Sequence, residues 1–485
     1  NLLAHSSFQL QSFIDKNSIR KFEWDPSNIL WINKHVNKFK NYEKEIIKNT
    51  LKEFKLFVKS NLKNLRYSVT HADPNNYNLV VKNNKVTGLL DFGDSIYAPT
   101  INDLAICLSY ALMNKNNLYL SLKNIISSYH KIFPINENEI FSLMSICKSR
   151  LLITVVMAKI QKIKYPDNLY LTISENDAWN LLKKLDKINP KLLIYTIKNI
   201  CNYPIIKNQN NIIHFIKNTN FSNIFDFDLL SVNKSILRLN PKSPLLKSNV
   251  SNKKLIIRIK NSLKKENSLL GIGLYKEKRK LYKSENFKSF LNSKTKREIH
   301  LGIDFFIDKG QSIYAPLGGK IVLLGDNHSK YDYGPTLALE HKDKNIIFFT
   351  LYGHLSKKTL KKFKLGQLIK KGECIGEVGS YIENGKWAPH LHFQIILDLM
   401  NETKNFPGVG EEFLLDVWSS ISPDPNLIFK IPNSFFLNTI KIDHLLKIRK
   451  KNIAKNFSIS YEKPLHFLES KNQYLYDSFG RKYLD

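Results

Sequence analysis

Apolar positions recur at helical spacing over Ile46 to Val58, Asp103 to Met113, Ile140 to Ile160 and Trp179 to Tyr195, which predicts a mostly helical region up to about residue 200. One β segment interrupts it. Tyr67 to Val81 and Val86 to Phe92 alternate or run apolar on either side of Asn83-Asn84, the pattern of a hairpin-like insert. Beyond residue 253 the period shortens and glycines punctuate the chain. Ser312 to Ala315, Lys320 to Leu324, Thr336 to Leu339, Ile346 to Tyr352, Cys374 to Val378 and Leu391 to Ile396 read as strands of a sheet or barrel. Residues 204–252, rich in Asn, Ser, Lys and Pro, predict a linker, and 401–433, with Pro407, Pro423, Pro425 and Pro432, a connector. The last stretch, 434–485, starts helical and ends in a strand-turn-strand, Gln473 to Leu484, around Ser478-Phe479-Gly480.

A length of 485 residues favours about three domains, and 43% hydrophobic residues suffice for real cores, which excludes wholesale disorder. No run reaches eighteen apolar residues. The longest, Leu151 to Ile160, sits in a helical context, so a spanning helix is excluded and no membrane partner is expected. The 74 Lys+Arg against 42 Asp+Glu leave a charge of +32, a balance that often marks polyanion binding. Here the lysines are scattered and travel with Asn and Ile, as in Lys253 to Lys265 and Ile205 to Asn223, the signature of an AT-rich coding bias. With no RNA-binding signature, zinc finger or basic zipper, they read as solvated faces, and no nucleic-acid partner is expected. Cys107, Cys147, Cys201 and Cys374 lie far apart, which suits buried free thiols in a reducing compartment, the cytoplasm. The chain opens on Asn1 in mid-pattern and reads as an internal piece of a longer protein.

Two constellations carry chemistry. In the first, His71-Ala72-Asp73-Pro74-Asn75-Asn76-Tyr77-Asn78 precedes Asp91-Phe92-Gly93-Asp94 across the hairpin. Phosphoryl transfer needs a carboxylate to orient the attacking hydroxyl, Asp73, and oxygen ligands to hold Mg²⁺ on the phosphates, Asn78 and Asp91. At these residues the sequence resembles the aminoglycoside phosphotransferase and choline-kinase superfamily, its Asp-x-Asn-x-Tyr-Asn loop being closest to the hydroxylysine-kinase-like branch. The resemblance covers residues 1 to about 200 and implies ATP as cofactor, with His71 and Asp103 as structural supports. Ala72 departs from it, standing where Gly is common. The nucleotide-binding N-lobe is not seen before Asn1, so weak ATP binding is expected of these residues alone.

In the second, His300-Leu301-Gly302-Ile303-Asp304 is followed by Tyr352-Gly353-His354 and by His390-Leu391-His392 at the opening of a strand. Alternate side chains of a strand share a face, so His390 and His392 point the same way. Four fully extended residues would hold His300 and Asp304 about 13 Å apart at Cα, too far for one metal, so a bend or bulge is predicted at Gly302. Two His and one carboxylate leave a position open for water, as catalytic zinc requires, and the remaining histidines can act as base or stabilise an oxyanion. His328 and His341 read as ordinary histidines. With Tyr314 to Gly319 and Lys371 to Gly379, the segment resembles the lysostaphin-type zinc endopeptidases that cut peptidoglycan cross-bridges, over about 295–400. That implies zinc on His300, Asp304 and His392, with His354 and His390 catalytic.

Tyr474 to Asp485, with Tyr461 to Leu465 before it, resembles the opening of class III aminotransferases, whose pyridoxal-phosphate (PLP) lysine would lie beyond Asp485. The expected architecture is therefore multidomain α+β. A mostly helical kinase C-lobe (1–203), the linker (204–252) and a Gly-rich all-β peptidase-like domain (253–400, core 295–400) come first. The connector (401–433) and the start of an α/β aminotransferase (434–485) complete it. The expected function is a multifunctional enzyme that phosphorylates an amine or amino-alcohol substrate and passes it to PLP chemistry, in a parent that dimerises through its aminotransferase. The alternatives are a metalloendopeptidase acting on cell-wall-type peptides, or a β domain that only binds or spaces.

Overall fold

The computed structural model describes residues 1–165, 167–168, 173–246, 251–282, 284–327, 329, 331–437, 442–453 and 464–484. His328 and Tyr461 to Lys463 lie outside them. The chain forms two compact units, Asn1–Ile205 with Lys288–Lys296, and Ile206–Phe287 with Arg297–Asp485.

The first unit is helical around Glu137–Lys164, a 28-residue helix buried on nearly every side from Ile140 to Val156. A helix apolar all round must be a core helix or a membrane span. Its length and hydropathy do satisfy the criterion for a span, which corrects the exclusion drawn from the 151–160 run, but 89% of its most apolar window is buried inside the fold. Its start is a capping box: Asn136 accepts from Glu139 N, and Glu139 accepts from Asn136 N at 2.9 Å each. Arg66 then grips the same Glu139 at 2.6 and 2.7 Å.

The other predicted helices need correction at their ends. Ile46 to Val58 becomes Asn41–Phe54 followed by one π turn, and Trp179 to Tyr195 is two helices, Glu175–Asp186 and Pro190–Ile200. Asn189 caps the second at Lys191 N, and Pro190 occupies its first turn, where the missing N–H costs nothing. The β insert also differs from expectation. Leu79–Lys82 and Lys85–Leu89 do form the hairpin, with Asn83 and Asn84 at φ +50° and +57°, but Tyr67–Thr70 pairs instead with Ile96–Pro99.

The second unit is built on an eight-stranded sheet. Its order is Leu368–Ile369, Gly319–Asn327, Gly334–Asp343, Ile346–Gly353, Leu391–Ile396, Ile303–Phe306, Leu270–Gly273 and Lys234–Ile236. Every pair is antiparallel except the last. Two segments expected to be linkers belong to this fold. Within 204–252, Gln209–Asn218 is a helix, Lys234–Ile236 joins the sheet edge, and Leu237 and Leu239 are buried. Within 401–433, Val409–Gly410 pairs with Ile299–His300, and the helix Leu415–Ile421 buries Trp418 completely. Asn, Lys and Pro dominate both compositions, but sparse apolar residues at the right period are enough to dock a segment. The unit is therefore sheet-rich rather than all-β. The C-terminal stretch is a meander of Phe467–Lys471, Tyr474–Asp477 and Lys482–Leu484, docked through Lys482 N on Leu230 O and Lys234 Nζ on Gly480 O. Among the described residues all four cysteines are free, but Cys107 and Cys374 are only half-buried.

His341 lies inside this sheet, its Nδ1–H on Gly318 O at 2.9 Å and its Nε2 2.7 Å from Thr350 Oγ1. Burial pushes its pKa down to about 4, against about 6.5 in an unfolded chain. The neutral ring is favoured in the fold, so this contribution is complete above pH 6.5 and is lost as pH falls towards 4. Between pH 7 and 4 the native protein should lose roughly 3 kcal/mol more stability than His341→Gln, measured by urea unfolding at each pH. Parallel pH profiles would contradict this.

Candidate functional site

His300 ends a two-residue strand and Asp304 sits inside the next, with Leu301 and Gly302 breaking the extended run between them. The break brings His300 Nε2 to 3.1 Å from Asp304 Oδ1. A Cβ at Gly302 would lie 2.6 Å from both His392 Cε1 and Phe393 O, so only glycine lets this bend lie against the neighbouring strand. Register then does the assembly: His392 stands opposite Asp304 on one side and Gly353 on the other. His392 Nδ1 is 3.0 Å from both Asp304 Oδ1 and His300 Nε2.

The outer atoms of these ligands are all engaged. His300 Nδ1–H donates to Leu274 O at 2.8 Å, and His392 Nε2–H donates to Gln394 Oε1 at 3.1 Å. Gln394 is itself fixed by Ser422 Oγ and Pro407 O. With those tautomers, two ring lone pairs and a carboxylate oxygen aim at one point, an arrangement that a bound cation would relieve. The donors are two imidazole nitrogens and one carboxylate oxygen, the set that catalytic zinc takes, so the residues fit the metal. Burial pushes the His300 pKa down to about 4, aided by the Arg279 charge. Burial alone would raise the Asp304 carboxyl, but His300, Arg279 and His390 hold it well below its ordinary value.

His354 and His390 flank this point. Their rings lie 4.1 Å apart, and each gives Nδ1–H to a backbone carbonyl, Asn384 O at 3.1 Å and Ala388 O at 2.6 Å. His354 has φ +63°, a left-handed conformation costly for a residue with a Cβ. It is held there by its N–H on Tyr333 O and its own carbonyl under Gly379 N. Burial lowers both pKa values, and the neighbouring histidines push His354 further. Two residues invisible to motif reasoning complete the site. Arg279, buried, donates to Asp304 Oδ2 at 2.6 Å and to Glu277 Oε2 at 2.9 Å. Tyr333 sets its ring 5.1 Å from His392 and 5.6 Å from His354, with a buried hydroxyl that has no hydrogen-bond partner. Neither lies at a telling distance in sequence from the histidines, so spacing carried no signal for them.

In the helical unit the structure also gathers the phosphotransfer loop. Asp103 accepts from His71 N and Ala72 N at 2.9 Å each, clamping a turn in which Ala72 has φ +68°. That conformation explains why glycine would suit the position. Leu90 ties the two motifs together, its N–H on Asn78 O and its carbonyl 2.8 Å from His71 Nε2. Asp91 follows at φ +64° and accepts from Gly93 N at 3.4 Å. Asp73 is held by Asn75 Nδ2 at 2.7 Å and Asn78 Nδ2 at 3.1 Å, an amide orientation that turns Asn78 Oδ1 away from Asp73. Arg150, which no motif indicated, bonds Asp73 Oδ1 at 2.6 Å and lies over the Trp24 ring at 4.6 Å. Burial raises the Asp73 pKa although Arg150 pulls it down.

Comparison with known proteins divides along the same line. Residues 22–119 match the phosphotransferase enzyme family, and residues 298–404 match peptidase family M23. The hydroxylysine kinases of Xenopus laevis and Mus musculus are 27% and 26% identical over 177 and 181 residues, 34% and 35% of this chain. Those matches span 47% and 48% of the kinases, about half their length. Lysostaphin of Staphylococcus simulans is 33% identical over 140 residues, 27% of this chain and 26% of that protein. The solved catalytic domain of that lysostaphin is 31% identical over 27% of this chain and 80% of its own, with a TM-score of 0.20. A kinase-like phosphotransferase segment and an M23 peptidase segment are thus both present in one chain.

Proposed function

We propose that the chain joins a phosphotransferase acting on a hydroxylated amine to a zinc-dependent peptide hydrolase. The hydrolase half is supported above all by one observation: His300 Nε2, His392 Nδ1 and Asp304 Oδ1 converge at 3.0–3.1 Å with their outer atoms engaged. Zinc bound there would polarise a carbonyl and acidify a water. The chain's own residues supply the proton handling. His354 and His390, neutral at pH 7 because burial lowers them, both line the cavity, and with Nδ1 on a backbone carbonyl each keeps Nε2 as the nitrogen that can take a proton. One of them takes the proton of the attacking water and returns it to the leaving nitrogen. Asp304 Oδ1, 3.7 Å from His390 Nε2, stabilises the imidazolium formed in between. Chelation should abolish cleavage of a small glycine peptide, and stoichiometric zinc should restore it; zinc uptake with no cleavage of any peptide would favour a binding or spacer module.

Tyr333 has the remaining role, donating its O–H to the developing oxyanion. Burial holds the phenol well above its ordinary pKa, so it keeps its proton. Tyr333→Phe removes a hydroxyl without a partner and should leave stability unchanged or raise it by up to about 1 kcal/mol. Its kcat should fall by about 10²-fold with KM little changed. Unchanged kcat would remove Tyr333 from the mechanism.

In the phosphotransferase half, Asp73 orients the acceptor hydroxyl, and Asn78 and Asp91 would hold Mg²⁺ against the ATP phosphates. His71 and Asp103 shape the loop. The hydroxylysine kinase relatives support a hydroxylated amine as acceptor. We extend the proposal to the C-terminal meander as the opening of a class III aminotransferase, with PLP chemistry outside residues 1–485. The parent would then be a cytoplasmic homodimer. A parent protein that turns over no hydroxylated amine with ATP overturns the phosphotransferase half.

A further inference from the structure

The two carboxylate oxygens of Asp304 face different partners. Oδ1 collects the histidines: His392 Nδ1 lies 3.0 Å from it, His300 Nε2 3.1 Å and His390 Nε2 3.7 Å. Oδ2 instead accepts from Arg279 Nη1 at 2.6 Å, a short, charge-assisted hydrogen bond. Arg279 is held in that place from several directions. Its Nε donates to Glu277 Oε2 at 2.9 Å, and its Nη1 also meets Tyr282 Oη at 3.4 Å. The stretch that carries it is laddered to the one that carries His300. Lys276 N donates to His300 O at 2.8 Å, His300 N to Glu277 O at 3.1 Å, and Arg279 N to Glu298 O at 2.8 Å. From the neighbouring strand, Gly273 stands opposite Asp304. A Cβ at Gly273 would fall 2.7 Å from Arg279 Nη2 and 3.1 Å from Asp304 Oδ2, so glycine leaves the room in which guanidinium and carboxylate meet.

A carboxylate can give a metal ion one oxygen or two. Giving both, Asp304 and the two histidines would supply every donor that a four-coordinate ion takes. Giving one, they leave a position for water and room for a further oxygen in the transition state. Turning Oδ2 away from Arg279 would strip a buried guanidinium of one of its two counter-charges, which is costly where water cannot replace it. On the zinc-hydrolase reading above, we propose that Arg279 is the positioning residue that makes Asp304 a one-oxygen ligand and thereby keeps a coordination position open for the substrate carbonyl. It acts through Asp304 alone. Its effect is therefore on how many positions the ion has free, and not only on the stability of the fold.

The test uses the full chain with cobalt(II) in the zinc position, whose visible absorption is intense when four-coordinate and weak at higher coordination. It is run at pH 8, above the range in which protons compete for the carboxyl. Arg279→Met, folded by circular dichroism and loaded with one cobalt per chain, should lose about half of that absorption or more. It should also bind acetohydroxamate, a probe that needs two open positions, about tenfold more weakly. Arg279→Lys, which keeps a cation for Oδ2, should restore most of both. If Arg279→Met does not fold, Arg279→Met/Glu277→Gln, which removes one of the orphaned charges, carries the same comparison. A folded, cobalt-loaded variant with native absorption and native acetohydroxamate affinity overturns the proposal and leaves the metal reading intact. A folded variant that takes up no cobalt also overturns it, since an Asp304 free to give both oxygens should hold the ion no less tightly. Failure of the native chain to take up cobalt overturns both.

Discussion

His392→Ala should lose bound zinc and peptide hydrolysis together. This residue is the hinge of the site, paired in register between Asp304 and Gly353 and touching both other ligand atoms at 3.0 Å. Removing an outer-shell partner of a metal ligand already costs about 10–100-fold in affinity or activity, so removing the ligand itself should cost more. Gln394→Ala supplies the graded comparison. It leaves all three ligands in place but frees His392 Nε2, and should fall in that 10–100-fold range. Zinc per chain after dialysis, read beside circular dichroism to confirm the fold, decides the matter. A His392→Ala protein that still holds one zinc would place the metal elsewhere and end the reading.

The histidine pattern was legible because its physics is local. His390-Leu391-His392 stands at the start of strand Leu391–Ile396, period two decides which side chains face together, and His390 and His392 come within 3.7 and 3.0 Å of the same Asp304 Oδ1. The bend at Gly302 was equally legible, because an extended His300–Asp304 pair cannot share a metal. The phosphotransfer loop, which the structure gathers around Asp73, was visible for a similar reason: its acceptor and ligand groups sit on two short stretches joined by one hairpin. What stayed hidden is long-range. Tyr67–Thr70 looks like a partner for the adjacent hairpin, yet tertiary context gives it Ile96–Pro99. Arg150 reaches Asp73 from the middle of a helix whose sequence reads only as apolar core. Residues 204–252 look like a linker because Asn and Lys dominate, while the few residues that dock it, Leu237 and Leu239, are ordinary leucines whose partner strand lies beyond residue 269. Arg279 is hidden for the same reason, since nothing near it announces that its carboxylate partners are Glu277 and Asp304.

Arg279→Met should produce the largest loss of stability of any single substitution considered. The guanidinium lies between two carboxylates, and all three side chains are 5% exposed or less. Removing one member of such a buried set leaves uncompensated charge and costs about 3–5 kcal/mol, a large share of a typical 5–15 kcal/mol total. The damage should spread beyond the metal centre, because Glu277 Oε1 also accepts Leu239 N at 2.7 Å and so anchors the segment leading from the sheet edge. The sign of the pH effect follows from the same contacts. Asp304 is held below its ordinary pKa in part by Arg279, so its stabilising contribution is present above about pH 4 and is lost as pH falls below it. Without the guanidinium the carboxyl titrates at higher pH, and metal binding should begin to compete with protons closer to neutrality. Urea unfolding of the metal-free protein measures the first effect, and zinc affinity between pH 5 and 8 the second. Adding Glu277→Gln to Arg279→Met removes one of the two orphaned charges and should recover part of the stability. That recovery would distinguish an electrostatic cause from a hole in the core, which the second substitution leaves unfilled. A single variant as stable as the native protein would mean that water reaches these carboxylates and that the pair is not the keystone its burial indicates.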